Sequence, residues 1–258
     1  MDDILSGLNP KQREAVLAIE GPVLILAGPG AGKTRTLTHR IAYLISKGIR
    51  PENILGVTFT NKAAQEMANR ILQIAKRSDK RFAISNMPFI GTFHAFCVRI
   101  LRVHAQKLGF YGAFTIFDDD DSLSLIKDIC KELAINPKQF PPGMISHTIS
   151  GLKSELIDPQ KYEETVGIED MFPGVIHRAY TRYQERLRES NAMDFDDLLM
   201  KTVELFQKNP ETLEKYQDQF RYIHVDEYQD TNNAQYVLMQ LLAKKHGKIA
   251  VVGDDAQS

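Results

Sequence analysis

Three glycines and a lysine–threonine pair stand together in Ala27-Gly28-Pro29-Gly30-Ala31-Gly32-Lys33-Thr34, after an apolar run and before a segment of helical period. Glycines at this spacing allow a compact loop whose backbone N–H groups turn inward onto phosphate oxygens. Lys33 supplies a point charge for the β- and γ-phosphates of a nucleotide, and Thr34 a hydroxyl ligand for Mg²⁺. The helix that follows presents its positive N-terminal end to the same anion. One departure from the general pattern is Ala27, where a first glycine is usual; the Gly-x-Gly-Lys-Thr end is intact.

Phosphate chemistry on such a loop needs a second, acidic site. Tyr222-Ile223-His224-Val225-Asp226-Glu227 supplies it as an apolar strand ending in adjacent carboxylates. Asp226 can hold Mg²⁺ directly or through water, and Glu227 can orient and deprotonate the water that attacks a γ-phosphate. A second acidic run, Asp118-Asp119-Asp120-Asp121, is read as the first turn of a helix beginning near Ser122, favoured by the helix dipole, rather than as a metal cluster. Cys97, Cys130, His147 and His177 have no ligand spacing and are assigned no chemistry.

The elements that must position these groups follow from periodicity. Residues 23–27, 54–59, 89–92, 222–226 and 249–252 are short, nearly continuous apolar runs, as expected of parallel strands buried on both faces. Between them lie helical stripes, Leu37, Ile41, Leu44 and Ile45 in one and Ala64, Met67, Ala68, Ile71 and Leu72 in another. Strands alternating with helices predict an α/β domain. The alternation breaks between about residues 115 and 190. There, helical signals at 123–133 and 175–188 alternate with loop signals at Asn136-Pro137 and Pro141-Pro142-Gly143, and no buried strand is evident. That stretch is expected to be a mainly helical insertion. The chain stops directly after a core strand, which predicts a truncated piece of a longer protein.

Composition excludes several classes. Of 258 residues, 43% are hydrophobic and 25% charged, which is globular rather than disordered. No apolar run reaches the roughly 20 residues that span a bilayer, the start Met1-Asp2-Asp3 is unlike a secretory signal, and two cysteines are too few for a disulfide framework. A reducing, cytoplasmic location is the default. The net charge of −1 hides an asymmetry: residues 21–110 carry 14 Lys/Arg against 3 Asp/Glu, and the remainder 18 against 30. A neutral protein can thus present one basic face to a polyanion, although the same charges can equally be scattered over a solvated surface.

Taken together, the motifs resemble the UvrD/PcrA/Rep family of superfamily 1 DNA helicases, in the family's order and over essentially the whole chain. Leu8-Asn9-Pro10-Lys11-Gln12-Arg13-Glu14-Ala15 is similar to the Q motif, which implies that Gln12 reads the adenine edge. The phosphate loop has the family's own variant, with Ala27 first and Arg35 after Thr34; the resemblance implies a nucleotide cradle of Gly28, Pro29, Gly30, Ala31, Gly32, Lys33 and Thr34, with Arg35 stacked on the base. Thr58-Phe59-Thr60-Asn61-Lys62-Ala63-Ala64 resembles motif Ia and Gly91-Thr92-Phe93-His94-Ala95-Phe96 motif Ib, which implies single-stranded DNA contacts at Thr58, Phe59, Asn61, Thr92 and His94. Aromatic faces stack on unpaired bases while nearby cations attract the backbone; Phe93 and Phe96 are assigned to the core instead. Asp226-Glu227-Tyr228-Gln229-Asp230-Thr231-Asn232 resembles motif II, and Val252-Gly253-Asp254-Asp255-Ala256-Gln257-Ser258 motif III, where Gln257 would sense the γ-phosphate and join Lys33 and Glu227 in catalysis.

The resemblance implies a RecA-like domain 1A, with a parallel sheet, over residues 1–114 and 191–258, interrupted by a helical subdomain 1B over 115–190. Met193-Asp194-Phe195-Asp196-Asp197-Leu198 marks the return. Motifs IV to VI and the second RecA-like domain, 2A, are absent from the chain, so the arginines that complete the ATP site across two domains lie elsewhere. The implied activity is ATP- and Mg²⁺-dependent translocation on single-stranded DNA, 3′ to 5′, with unwinding of duplexes and junctions in repair or replication, and little turnover by this piece alone. Two alternatives stay open: the helicase subunit of a recombination helicase–nuclease, and a nucleotide- or DNA-binding module without turnover. Kinase and transporter ATPase readings leave Gln12, the TFTNKAA segment and the DEYQD extension unexplained.

Overall fold

The computed structural model describes residues 2–28, 30–78 and 82–254. The chain divides into two compact units, one of Met1–Phe96, Asn209–Thr231 and Met239–Ser258, the other of Cys97–Lys208 and Asn232–Leu238. The second takes in more chain than the 115–190 expected for the helical insertion.

The first unit is built on a five-stranded parallel sheet of β1 (Val23–Leu26), β2 (Ile54–Thr58), β3 (Phe89–Thr92), β6 (Tyr222–Val225) and β7 (Ile249–Gly253), in the order β1-β7-β6-β2-β3. Because every pair is parallel, all five strands deliver their following loops to one edge, where open α/β sheets bind ligands. β2 and β6 are buried throughout, as their apolar runs predict. β1 corrects the expectation of burial on both faces: it is an edge strand, and Leu24 and Leu26 are exposed. His224 lies in the register across from Gly56, where a Cβ would come within 2.6 Å of Ile90 Cδ1, so a side chain there would have to displace the end of Ile90.

Helices α1 (Asp2–Leu5), α2 (Pro10–Leu17), α3 (Lys33–Ser46), α4 (Asn61–Ser78) and α11 (Pro210–Gln219) belong to this unit. α2 starts at a capping box in which Asn9 and Gln12 exchange side-chain and backbone hydrogen bonds, with Pro10 in the first turn. α3 is buried from Thr36 to Leu44, more than the stripe read from its period. Leu37, Ile41 and Leu44 pack with Ile54, Met67, Ile71, Ala250 and Val252, each of the side chains larger than alanine contributing about 1.5–3 kcal/mol by leaving water.

The second unit holds most of α5 (Phe93–His104), then α6 (Asp119–Glu132), α7 (Pro142–Ser154), α8 (Pro159–Val166), α9 (Met171–Glu189) and α10 (Phe195–Lys208), with the first part of α12 (Asn233–Ala243). The acidic run is indeed a helix start: Asp118 caps α6 and forms a capping box with Asp121, one turn earlier than the Ser122 expected. Among the described residues no group of three or more His, Cys, Asp or Glu could hold a metal ion. One expectation is corrected here. Pro141-Pro142-Gly143 is the start of α7 rather than a loop, since a proline in the first turn forfeits only a donor that has no helical partner. The unit also has a two-stranded parallel sheet, β4 (Thr115–Phe117) with β5 (Ala192–Asp194), whose three-residue strands are too short to show a period. Ile126, Ile129, Ile145, Ile149, Ile176 and Tyr180 form its core. Among the described residues no helix is long and apolar enough to cross a membrane.

Candidate active site

The loop after β1 is set by its glycines. Gly30 and Gly32 have φ of +74° and +81°, a left-handed conformation that costs other residues about 1 kcal/mol or more. Gly32 caps α3 with no side chain in the way, and Gly28, Gly30 and Ala31 are exposed. A Cβ at Gly28 or Gly30 would meet nothing within 4 Å, so the loop borders open space large enough for a ligand to approach its backbone. Pro29 and Gln257 lie outside the described residues.

Lys33 opens α3 and reaches across the strand ends. Its Nζ is 3.2 Å from Glu227 Oε2, beyond β6, and 3.4 Å from Asp254 Oδ2, beyond β7. Burial works against the ammonium, but the two carboxylates outweigh it and hold its pKa above the ordinary value. Thr34 Oγ1 donates to Asp226 Oδ2 at 2.9 Å. That separation matches the edge of a Mg²⁺ octahedron with ligands at about 2.0–2.1 Å. Asp226 is buried, which together with the neighbouring Glu227 charge raises its pKa. A hard divalent cation beside Thr34 would relieve that cost, so the donor set fits Mg²⁺.

Glu227 sits in a left-handed conformation at φ +50°, ψ +48°, which turns its carboxylate away from the strand and toward Lys33. Gln229 fixes it there: its Nε2 donates to Glu227 Oε2 at 2.8 Å, and its Oε1 accepts the Asp254 backbone N–H at 3.1 Å. Sequence reasoning singled out neither Gln229 nor Asp254. Asp254 had the same signal as Asp226, a carboxylate directly after a buried strand, and Gln229 lay inside a motif already recognised.

Gln12 lies beside this loop, and its Nε2 donates to Ala31 O at 3.0 Å. Arg35 is exposed on the first turn of α3, with its guanidinium against Gly7. The remaining predicted residues line the same sheet edge farther along. Thr58 ends β2 and is buried; Phe59 follows it, half-buried, with its ring edge-on to Phe93 at 5.6 Å. Asn61 is exposed at the start of α4. Thr92 ends β3, is buried, and accepts the Ala95 N–H with Oγ1, so its hydroxyl caps α5. His94 is half-buried, and desolvation lowers its pKa. Phe93 and Phe96 are core residues, as expected. Burial pushes the Cys97 thiol up to about 12, leaving it unreactive at neutral pH.

Comparison with known proteins agrees with this geometry. Residues 8–258 match the UvrD/REP helicase N-terminal domain. The chain is 48% identical over its whole length to the ATP-dependent DNA helicase PcrA of Bacillus subtilis. It is 47% and 48% identical to the PcrA helicases of Staphylococcus epidermidis and Staphylococcus aureus, again over the whole chain. It spans about a third, 34%, of the length of each of these relatives. The chain belongs to the UvrD/Rep helicase family and corresponds to its N-terminal domain.

Proposed function

We propose that the chain is the ATP-binding N-terminal portion of an ATP-dependent DNA helicase that moves 3′ to 5′ along single-stranded DNA and opens duplexes and junctions. The observation that carries this reading is the convergence of Lys33, Thr34, Asp226, Glu227 and Asp254 at the ends of three adjacent strands, on the same sheet edge as Phe59 and His94. In this reading the first unit is domain 1A and the second 1B, and a further RecA-like domain, 2A, completes the ATP site.

Mg²⁺-bound ATP, when present, supplies a transferable γ-phosphoryl group and a metal charge that offsets the developing negative charge. The chain's own residues divide the remaining work. Gly28, Pro29, Gly30, Ala31 and Gly32 offer backbone to the phosphates, while Lys33 exchanges its carboxylate partners for phosphate oxygens. Thr34 and Asp226 would hold Mg²⁺. Glu227, released from Lys33 at that moment, orients the attacking water and takes its proton, with Gln229 keeping the carboxylate aimed. Gln12 and Arg35 hold the base, and Gln257 links the γ-phosphate to the DNA-facing edge. Phe59, Asn61 and His94 are the DNA contacts, Phe59 and His94 by stacking, while the buried Thr58 and Thr92 shape the edge that carries them.

The test is steady-state ATP hydrolysis with and without single-stranded DNA, on this chain and on a full-length family member bearing it. The expected result is DNA-stimulated turnover in the longer protein and almost none in the chain alone, because loss of a partner domain's arginine costs on the order of 10³–10⁵ in rate. A longer protein that binds ATP and never hydrolyses it would instead establish a passive module.

A further inference from the structure

Arg40 is a cation that the site chemistry does not use. It lies on α3 two turns beyond Lys33, is 1% exposed, and has no carboxylate partner among the described residues. Its Nε makes no hydrogen bond. Burying an ion in this way costs several kcal/mol unless something specific compensates. The compensation is the end of another helix: Arg40 Nη1 donates to Ala15 O at 2.7 Å and to Ala18 O at 2.5 Å. Ala18 is the C-cap of α2, so the guanidinium satisfies carbonyls that the helix itself leaves open and faces the negative end of its dipole. Burial lowers the guanidinium to about 10, which still leaves it charged at neutral pH.

The other end of α2 is held as tightly. Gln12 Nε2 donates to Ala31 O, and a Cβ on Gly32 would come within 2.8 Å of that nitrogen. With eight residues, α2 is too short to be a stable helix in isolation, so its position depends on these two attachments and its packing. Both attachments lead to one continuous piece of chain, the phosphate loop and the α3 helix that it opens. The phosphate-binding side chains, in contrast, sit on α3 and after β6 and β7, and none of them is on α2.

We propose that Arg40 is a positioning residue for nucleotide-base recognition: by gripping the C-terminal carbonyls of α2 it sets where Gln12 stands against the phosphate loop, and so which base the site accepts. The proposal rests on the reading of Gln12 as the base-recognising residue. It separates two tasks on one element, since loosening the Arg40 grip disturbs the base side and spares the phosphate side.

The experiment is calorimetric binding of ATP, GTP and inorganic triphosphate, each with Mg²⁺, to this chain and to its Arg40→Met, Arg40→Lys and Gln12→Ala variants. Hydrogen exchange of α2 and α3 is followed in parallel. Arg40→Met is expected to reduce the preference for ATP over GTP by about fivefold or more, the scale of one neutral hydrogen bond between Gln12 and the base. Triphosphate affinity should stay within about twofold, and amide protection should fall in α2 but persist in α3. Arg40→Lys, which keeps a charge but shortens the reach, should lie between Met and wild type, and it carries the test if Arg40→Met does not fold. Equal losses for ATP and triphosphate would reduce Arg40 to a purely structural residue and overturn the proposal. An unchanged ATP/GTP ratio in both Arg40 variants, beside a collapsed ratio in Gln12→Ala, overturns it while sparing the base-reading role of Gln12. An unchanged ratio in Gln12→Ala removes that role first, and the proposal with it.

Discussion

Each unit contains a lysine held between two carboxylates, and the two clusters are built to opposite ends. In the first unit Lys33 meets Glu227 and Asp254 at 3.2 and 3.4 Å, beside an exposed glycine loop, with Glu227 in a left-handed conformation and partly open to water. In the second, Lys153 is wholly buried and meets Asp194 and Asp197 at 2.6 and 2.9 Å. Tyr183 donates to Asp194 as well, and the Asp197 N–H donates to Asp194 Oδ1 at 2.8 Å, capping α10. Lys153 has every reason to stay where it is. Lys33 has longer bonds, a strained partner and open space in front of it. Identical charges thus make a fixed brace in one place and an exchangeable contact in the other, and the difference lies in burial and hydrogen bonding rather than in residue type.

The sharpest way to break the comparison is to remove each lysine. Lys153→Met leaves Asp194 and Asp197 buried without their cation, a loss expected to cost about 3–5 kcal/mol of unfolding free energy by urea titration. A cost below about 1 kcal/mol would show that the two carboxylates share a proton and need no lysine. The effect of Lys33→Ala should appear in binding instead. Loss of a charge-assisted contact to phosphate is worth about 1.5–3 kcal/mol, or roughly 10- to 150-fold in Mg²⁺–ATP affinity. Its unfolding free energy should fall by clearly less than the about 3–5 kcal/mol expected for Lys153→Met, because the Glu227 partner is partly open to water. A fluorescent-nucleotide titration gives the first quantity and a urea titration the second. Unaltered nucleotide affinity would remove Lys33 from the phosphate site.

Little of this contrast could be read from the sequence, and the reason is physical. The glycine loop, Asp226 and Glu227 were legible because a local pattern, strand then turn then helix, carries both the fold and the chemistry. The strands of the first unit were legible because apolar runs bounded by polar turns have few alternatives. Lys153 gave no signal: it is one lysine near the end of a helix, and its partners are 41 and 44 positions away in Asp194 and Asp197. Exposure of one face of β1 could not be foreseen either, since Leu24 and Leu26 are as apolar as the residues that are buried, and only strand order decides which strand is an edge. Gln229 and Asp254 become partners only when β6 and β7 are laid side by side.

Acid separates the units by a different route. His224 is fully buried in the middle of the first unit's sheet, and neither ring nitrogen makes a well-formed hydrogen bond. Desolvation, with the nearby Arg40 charge, lowers its pKa from 6.5 to about 3, against which the Leu55 and Tyr222 backbones offer only a small offset. The sign follows from proton counting. Above pH 6.5 the ring is neutral whether the chain is folded or not. Between 6.5 and about 3 the unfolded chain takes up a proton that the folded chain refuses, so stability is lost as pH falls through that window. By about pH 5 the loss from His224 alone is about 2 kcal/mol, and the lowered pKa values of His39 and His94 act in the same direction. Urea titrations at several pH values should show this slope in the wild type and a shallower one in His224→Leu. Equal slopes would place the acid sensitivity elsewhere.

The smallest effect concerns the backbone of Glu227. A non-glycine residue held at φ +50° stores about 1 kcal/mol of strain. If the Lys33–Glu227 contact is an exchangeable one, the native state gains little from it, and the strain exists to aim the carboxylate. Glu227→Gly removes both the strain and the contact. It is therefore expected to leave unfolding free energy unchanged or raise it by up to about 1 kcal/mol, while Mg²⁺-dependent nucleotide binding is retained through the loop, Lys33, Thr34 and Asp226. The gain is modest because glycine also gives the unfolded chain more freedom, which works against it. In a protein that turns ATP over, the same substitution should abolish hydrolysis, because the group proposed to accept the water proton is gone. A matched urea titration of Glu227→Gly and Asp194→Gly makes the contrast direct, since the second deletes a buried partner of Lys153 and the cap of α10. Should Glu227→Gly destabilise as strongly as Asp194→Gly, the Lys33 cluster would be structural cement like its counterpart, and the distinction between brace and exchangeable contact would fail.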